Sequence, residues 1–290
     1  MKQLARWRQF GGWWTRYAHD ARSTKCEMTF SVFVPDGATA APTLYYLSGL
    51  TCTDENFVHK AGAARQASSR GVALVVPDTS PRGNGLAGED DAYDFGTGAG
   101  FYVDALQEPW ASAGYKMESY VATELRDLVD GLEGVDADNA GLTGHSMGGH
   151  GALTLAFKYP DRYASVSALA PICNPTRCPW GVKAFEGYLG SVDAGEDHDA
   201  CKLVAKHETG RFDSILVDQG AEDQFLVGDI DQLRPESFRA ACDKAGQNLN
   251  LRYHPGFDHS YFFISTFIDD HVDFAADRLL NNNNKKHAAS

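Results

Sequence analysis

The chain has 290 residues, 43% hydrophobic and 22% charged, ordinary proportions for a soluble globular protein with enough apolar mass to cover a sheet on both faces. Its formal net charge of −13 argues against a general binder of nucleic acid or of anionic membrane, since both need basic surface. No run reaches the ~18 consecutive apolar residues that span a bilayer, and the basic, aromatic start MKQLARWRQFGGWW lacks the continuous apolar stretch of a signal peptide.

The first strand signal is Glu27–Val34, where Met28, Phe30, Val32 and Val34 alternate onto one face. Pro35-Asp36-Gly37 then turns the chain. Thr43–Leu47 and Val72–Val76 are short apolar runs of the kind found in buried parallel strands. Between them Asp54–Arg70 reads as a helix, with Thr53 as its N-cap and Gly71 as its stop. Met117–Leu132 places Tyr120, Val121, Leu125, Leu128, Val129 and Leu132 at helical spacing. Ala140–Thr143 is a short strand, and a helix ending near Lys158 follows the run Gly144–Gly148. Tyr163–Leu169, Ile215–Asp218 and Asn248–His254 are further strands, and Ser260–Leu280 is a closing helix.

Strands alternating with helices predict a mostly parallel central sheet with helices on both faces, one α/β domain over residues 1–280. Two segments break the alternation. Asp78–Tyr115 is Gly-rich and long for a connection, and such connections usually carry function. Pro171–Phe212 is the second, with a short helix near Trp180–Leu189 and an acidic stretch around Asp193–Asp199. Residues 281–290 are rich in Asn and Lys and are expected to form a disordered tail.

Gly144-His145-Ser146-Met147-Gly148 matches G-x-S-x-G, the nucleophile elbow of α/β-hydrolase folds. The serine of such an elbow sits on a sharp, strained turn between a strand and a helix, and only small neighbours let the turn close. A strand before and a helix after are both predicted here. A serine hydroxyl is a weak nucleophile, so it needs a histidine base, and the base needs a carboxylate to hold its tautomer. In this fold the chain order is Ser, then Asp or Glu, then His.

Of the ten histidines, His19 and His59 precede the serine, and His145 and His150 share its element. His198 and His207 fall before the acid, and His287 is in the tail. Three remain. His254 ends a strand, and His271 lies inside the final helix, on its polar face. His259 lies in the loop between the last strand and the last helix, where a base projects over the C-terminal edge of the sheet; it is the candidate base. The acid should follow Ile215–Asp218. Asp218 is still at the strand end, and of Glu222 and Asp223 in the next loop Asp223 is the candidate, with Glu222 as a surface residue. The oxyanion hole needs two backbone N–H donors. Met147, next to the nucleophile, gives one. The loop Ser48–Cys52 gives the other, assigned to Leu50 with Gly49 close behind.

Six cysteines spread over a chain of this size read as free thiols in a reducing cytoplasm, not as a disulfide framework. The pair Cys173 and Cys178 lacks metal-ligand spacing, so neither a metal nor another cofactor is expected.

The runs LSGLTCTDENF (Leu47–Phe57), SPRG followed by GEDDAYDFGTGAGFYVDA (within Ser80–Ala105), GHSMGGHGAL (Gly144–Leu153), DQGAEDQFL (Asp218–Leu226) and GFDHSYFFI (Gly256–Ile264) together resemble the S-formylglutathione hydrolases, also called the esterase D family. The resemblance covers roughly Phe10–Leu280, and DFGTGAGFYVDA is specific to that family. It implies hydrolysis of S-formylglutathione to glutathione and formate, the last step of glutathione-dependent formaldehyde removal in the cytoplasm. It implies a triad of Ser146, Asp223 and His259, with Leu50 and Met147 as oxyanion donors. It places Cys52 beside the site, linked to thiol-reagent sensitivity, and Trp180 as an aromatic wall of the pocket. Phe257 and Phe262 depart from the pattern, since tyrosine is common there. The alternative is a general carboxylesterase for small esters with the same triad. The partner is a small-molecule glutathione thioester, with no nucleic acid or membrane. Quaternary state is left open, a homodimer included.

Overall fold

The structure, a computed structural model, describes residues 1–207 and 210–288. Among the described residues, nine strands form one sheet in the order β1-β2-β3-β5-β4-β6-β7-β8-β9. They are β1 (Lys2–Gln9), β2 (Gly12–Asp20), β3 (Glu27–Pro35), β4 (Ala40–Leu47), β5 (Ala73–Pro77), β6 (Gly134–Gly144), β7 (Tyr163–Leu169), β8 (Ile215–Gly220) and β9 (Leu249–His254). The pairings among β1, β2, β3 and β5 are antiparallel, and the five from β5 through β4 to β9 are parallel. This is the mostly parallel α/β sheet that the alternation predicts.

Among the described residues, ten α-helices connect or cover the strands: α1 (Asp54–Lys60), α2 (Ala64–Arg70), α3 (Met117–Ser119), α4 (Arg126–Asp130), α5 (Met147–Lys158), α6 (Pro179–Leu189), α7 (Ala200–Val204), α8 (Gln224–Val227), α9 (Pro235–Ala245) and α10 (Tyr261–Ala288). A π-helical turn, Tyr120–Leu125, joins α3 to α4, so the predicted helix over Met117–Leu132 is one continuous helical run with a bulge. Both α5 and α10 pack on β4, β6 and β7, with α2 beside α10 and α7 beside α5. Parallel strands need such cover: β5 and β8 are buried at every position.

Several elements differ from the sequence expectation. Asp54–Arg70 is two helices, α1 and α2, because the chain turns at Gly62 in a left-handed conformation. Thr53 does cap α1, accepting from the Glu55 N–H, and Gly71 ends α2. The β1–β2 hairpin was not legible. All but two residues of β1 are exposed, so no apolar alternation marks it. Strand β6 begins earlier than Ala140, at Gly134. Helix α9 stands in a stretch left unassigned. The backbone of α10 is helical to Ala288, and residues 289–290 lie outside the described residues.

Candidate active site

The site forms where the parallel strands end. Strand β6 stops at Gly144 and α5 starts at Met147, so Ser146 occupies the sharp turn between them, at φ 58° and ψ −120°. That backbone is strained for a residue with a Cβ, and the packing leaves no alternative. A Cβ on Gly144 would stand 2.3 Å from the Gly148 carbonyl oxygen, and one on Gly148 would stand 1.9 Å from the Leu47 carbonyl oxygen. The Ser146 N–H donates to the Leu169 carbonyl at 3.0 Å, which anchors the turn to β7.

The loop after β8 carries Asp223, which is fully buried. Its Oδ2 accepts from His259 Nδ1 at 2.5 Å and from Gln219 Nε2 at 3.0 Å, and its Oδ1 accepts from the Phe225 N–H at 2.8 Å. His259 arrives from the other direction, on the loop between β9 and α10. A carboxylate on Nδ1 fixes the proton there and leaves Nε2 as an acceptor. Two rings hold the imidazole in place. Phe225 meets it edge-on at 4.9 Å, and His145 lies 4.3 Å from it. Burial keeps His145 well below the ordinary histidine range, so it stays neutral beside His259.

Ser146 and His259 face the same cavity, of about 270 Å³. Leu50, Thr51, Cys52, Tyr93, His145, Trp180, Phe225 and Tyr261 also line it, and among the described residues no lysine, arginine or carboxylate does. Leu50 sits in the turn after β4, where the Thr51 N–H is held by the Gly98 carbonyl at 2.9 Å and the Ser48 carbonyl by the Tyr102 hydroxyl at 2.8 Å. Thr51 has φ +68°, a second strained residue beside the serine. Met147 opens α5, where a helix leaves its first amides without intrahelical partners. Among the described residues, neither the Leu50 nor the Met147 amide donates to another main-chain group. Trp180 forms a wall, its indole N–H donating to the Tyr93 hydroxyl at 3.0 Å and its ring 4.7 Å from Phe225.

The structure therefore brings Ser146, His259, Leu50, Cys52 and Trp180 to one cavity and sets Asp223 directly behind His259. Met147 follows the serine. Sequence reasoning missed Tyr93, Phe225, Tyr261 and Gln219. Tyr93 belongs to the long Gly-rich connection flagged as functional, which was the available signal. It also misjudged His271, expected on the polar face of the last helix. His271 is fully buried and bonded to Asp218.

A hydroxyl on a strained turn, an imidazole with its Nδ1 on a carboxylate and a largely apolar cavity are the parts of nucleophilic acyl transfer. Fold and elbow thus define the class: the chain is a serine hydrolase of the α/β type. The esterase family model matches residues 21–274. The S-formylglutathione hydrolase of Arabidopsis thaliana is 49% identical over 284 residues, 96% of this chain and 98% of the relative. That of Rattus norvegicus is 48% identical over 275 residues, 94% of this chain and 96% of the relative. A solved structure of an S-formylglutathione hydrolase from Agrobacterium tumefaciens superposes with a TM-score of 0.91 at 44% identity, covering 96% of this chain and all of that one. The chain belongs to the S-formylglutathione hydrolase family of esterases.

Proposed function

We propose that this chain hydrolyses S-formylglutathione to glutathione and formate through a formyl-enzyme. His259 takes the Ser146 proton and Ser146 attacks the formyl carbonyl. The Leu50 and Met147 amides hold the oxyanion. The sulfur leaves as the thiolate and takes up the proton that His259 holds; the neutral His259 then draws a proton from water, whose oxygen attacks the formyl carbon, and it returns that proton to Ser146 as the ester bond breaks and formate leaves. A thiolate is a good leaving group, so acid assistance matters less here than for an amide. The observation that carries this reading is the 2.5 Å contact of Asp223 with His259 in a loop facing the Ser146 elbow. The family supplies the substrate. The reading carries with it a cytoplasmic location and a place at the end of glutathione-dependent formaldehyde removal, and six free thiols accord with a reducing compartment.

The apolar lining of the cavity favours a second reading, a carboxylesterase for small esters with the same residues. Acyl size separates the two. For a formyl-specific site kcat/KM falls steadily from formyl to acetyl to butyryl glutathione thioesters. An extending apolar pocket would instead gain roughly 1–3 kcal/mol of transition-state binding per fitting methylene. Efficiency that climbs with chain length, in a steady-state comparison that includes aryl esters, rules out the formyl assignment.

Cys52 is read as a modulator of the site and not as a catalyst. It lies two residues beyond Leu50, so an adduct on its sulfur reaches the oxyanion loop. Burial pushes its thiol up, with a hydrogen bond from Tyr261 opposing. The thiol is therefore neutral at pH 7, and alkylation accelerates as the pH climbs toward the raised value. Burial pushes Cys178 and Cys242 up as well, to about 11 and about 12. Cys52→Ser is expected to keep most activity and to resist inactivation by iodoacetamide. Inactivation of this variant at the wild-type rate would assign the effect to another cysteine.

A further inference from the structure

The loops that carry Asp223 and His259 leave the sheet from neighbouring strands, β8 and β9, and the second loop ends on α10. One residue is tied to all three elements. Asp218 of β8 is fully buried. Its carboxylate accepts a paired hydrogen bond from Arg252 of β9, from Nε at 2.6 Å and Nη2 at 2.5 Å. It accepts another from His271 Nε2 of α10 at 3.2 Å. His254 Nε2 of β9 lies 3.1 Å from it, and Arg252 also reaches Asp270 of α10 at 2.8 Å. His271 is wholly buried, and its Nδ1 has no partner among the described residues. The imidazole therefore presents Nε2–H to the carboxylate. Burial alone would raise the Asp218 carboxyl, but the His271 and Arg252 donors outweigh it and hold it well below the usual range.

The main chain extends these ties. The Asp218 carbonyl accepts the Ala170 N–H at 2.7 Å, one residue from the carbonyl that holds the Ser146 N–H. Beyond it the two loops are laced together. The Ala221 N–H donates to the His254 carbonyl and the Glu222 N–H to the Phe257 carbonyl, each at 3.0 Å, and the Gly256 N–H donates to Glu222 Oε1 at 2.9 Å. Apolar packing and six paired positions of β8 with β9 already hold the elements together. The charged network adds fixed distance and direction, which apolar contacts do not. None of its members lines the cavity.

We propose that Asp218, with Arg252 and His271, is a positioning clamp that sets the geometry of Asp223 against His259. The clamp rests on the assignment of those two residues as acid and base. A displacement of about 1 Å at reacting groups can cost on the order of 100-fold in rate. Asp218→Asn and His271→Leu are therefore expected to lower kcat by roughly 10- to 100-fold with KM within about twofold of wild type. The low-field proton resonance of the His259 Nδ1–H should shift or broaden in both. His271→Gln keeps an amide donor at the Nε2 position and should restore kcat to within about threefold and bring the resonance back. A folded Asp218→Asn enzyme with wild-type kcat and resonance overturns the clamp. If that variant does not fold, Arg252→Met, at a side chain 32% exposed, decides the matter. The same kcat loss supports the clamp, and wild-type kcat overturns it. His259→Ala keeps the two ideas apart. Full activity there sinks the triad itself, whereas an inactive His259→Ala beside unaffected clamp variants sinks the clamp alone.

Discussion

Ser146→Ala is expected to lose on the order of 10⁴-fold or more of kcat on S-formylglutathione while the protein stays folded. The loss follows from chemistry that no neighbour can replace. The formyl group must be transferred to an oxygen at the elbow, and among the residues facing the cavity only Ser146 has its hydroxyl there. The fold is expected to survive because, among the described residues, no other protein group bonds to that hydroxyl; the turn is held by the Ser146 N–H and carbonyl, bonded to Leu169 and Ile172. Alanine keeps both, and it keeps a Cβ on the same strained backbone. Turnover by purified enzyme, with circular dichroism as the check on folding, measures both halves of the claim. A variant that retains a tenth of wild-type activity ends the nucleophile assignment.

The second large effect belongs to the pair behind it. His259→Ala should match Ser146→Ala in severity, because serine and base act as one unit, and the double variant should be little worse than either alone. Asp223→Asn should cost on the order of 10³- to 10⁴-fold. Its amide can still sit beside the ring, but it no longer fixes the proton on Nδ1 or stabilises the imidazolium. The Phe225 N–H would hold the asparagine oxygen where Oδ1 now stands, which turns the amide NH2 toward Gln219 Nε2 and His259 Nδ1 in place of an acceptor, so the loss is chiefly one of charge and tautomer. Near-wild-type kcat in Asp223→Asn would mean that another carboxylate orients the base, and Glu222 would be the first to examine.

How much of this was legible depends on where each signal lives. The elbow reads directly from the sequence because its glycines answer a steric demand that five consecutive residues express. The candidate acid and base follow from chain order, since strands and helices alternate plainly over β7 to α10. The β1–β2 hairpin left no such trace, because an exposed strand needs no apolar alternation. His271 shows a subtler failure. In α10 the residues Ile264, Ile268, Val272, Ala275 and Leu279 form the buried stripe, and position 271 falls on it. Periodicity alone places it inward. Treating histidine as polar put it outside, because its partner Asp218 lies 53 positions away and nothing local announces the pair. The pocket walls Tyr93, Trp180 and Phe225 come from three separate segments, so only the fold brings them together.

The order of the pieces along the chain also bears on how the enzyme is made. The proposed nucleophile and oxyanion amides belong to the half of the sheet built from β4 and β6, whereas the proposed acid and base hang on β8, β9 and the loop before α10. A ribosome exposes the first half long before the second. Throughout that interval the emerging polypeptide holds a serine with no base to activate it. On the triad proposed above, the serine gains its base only once the loop between β9 and α10 has folded against the elbow.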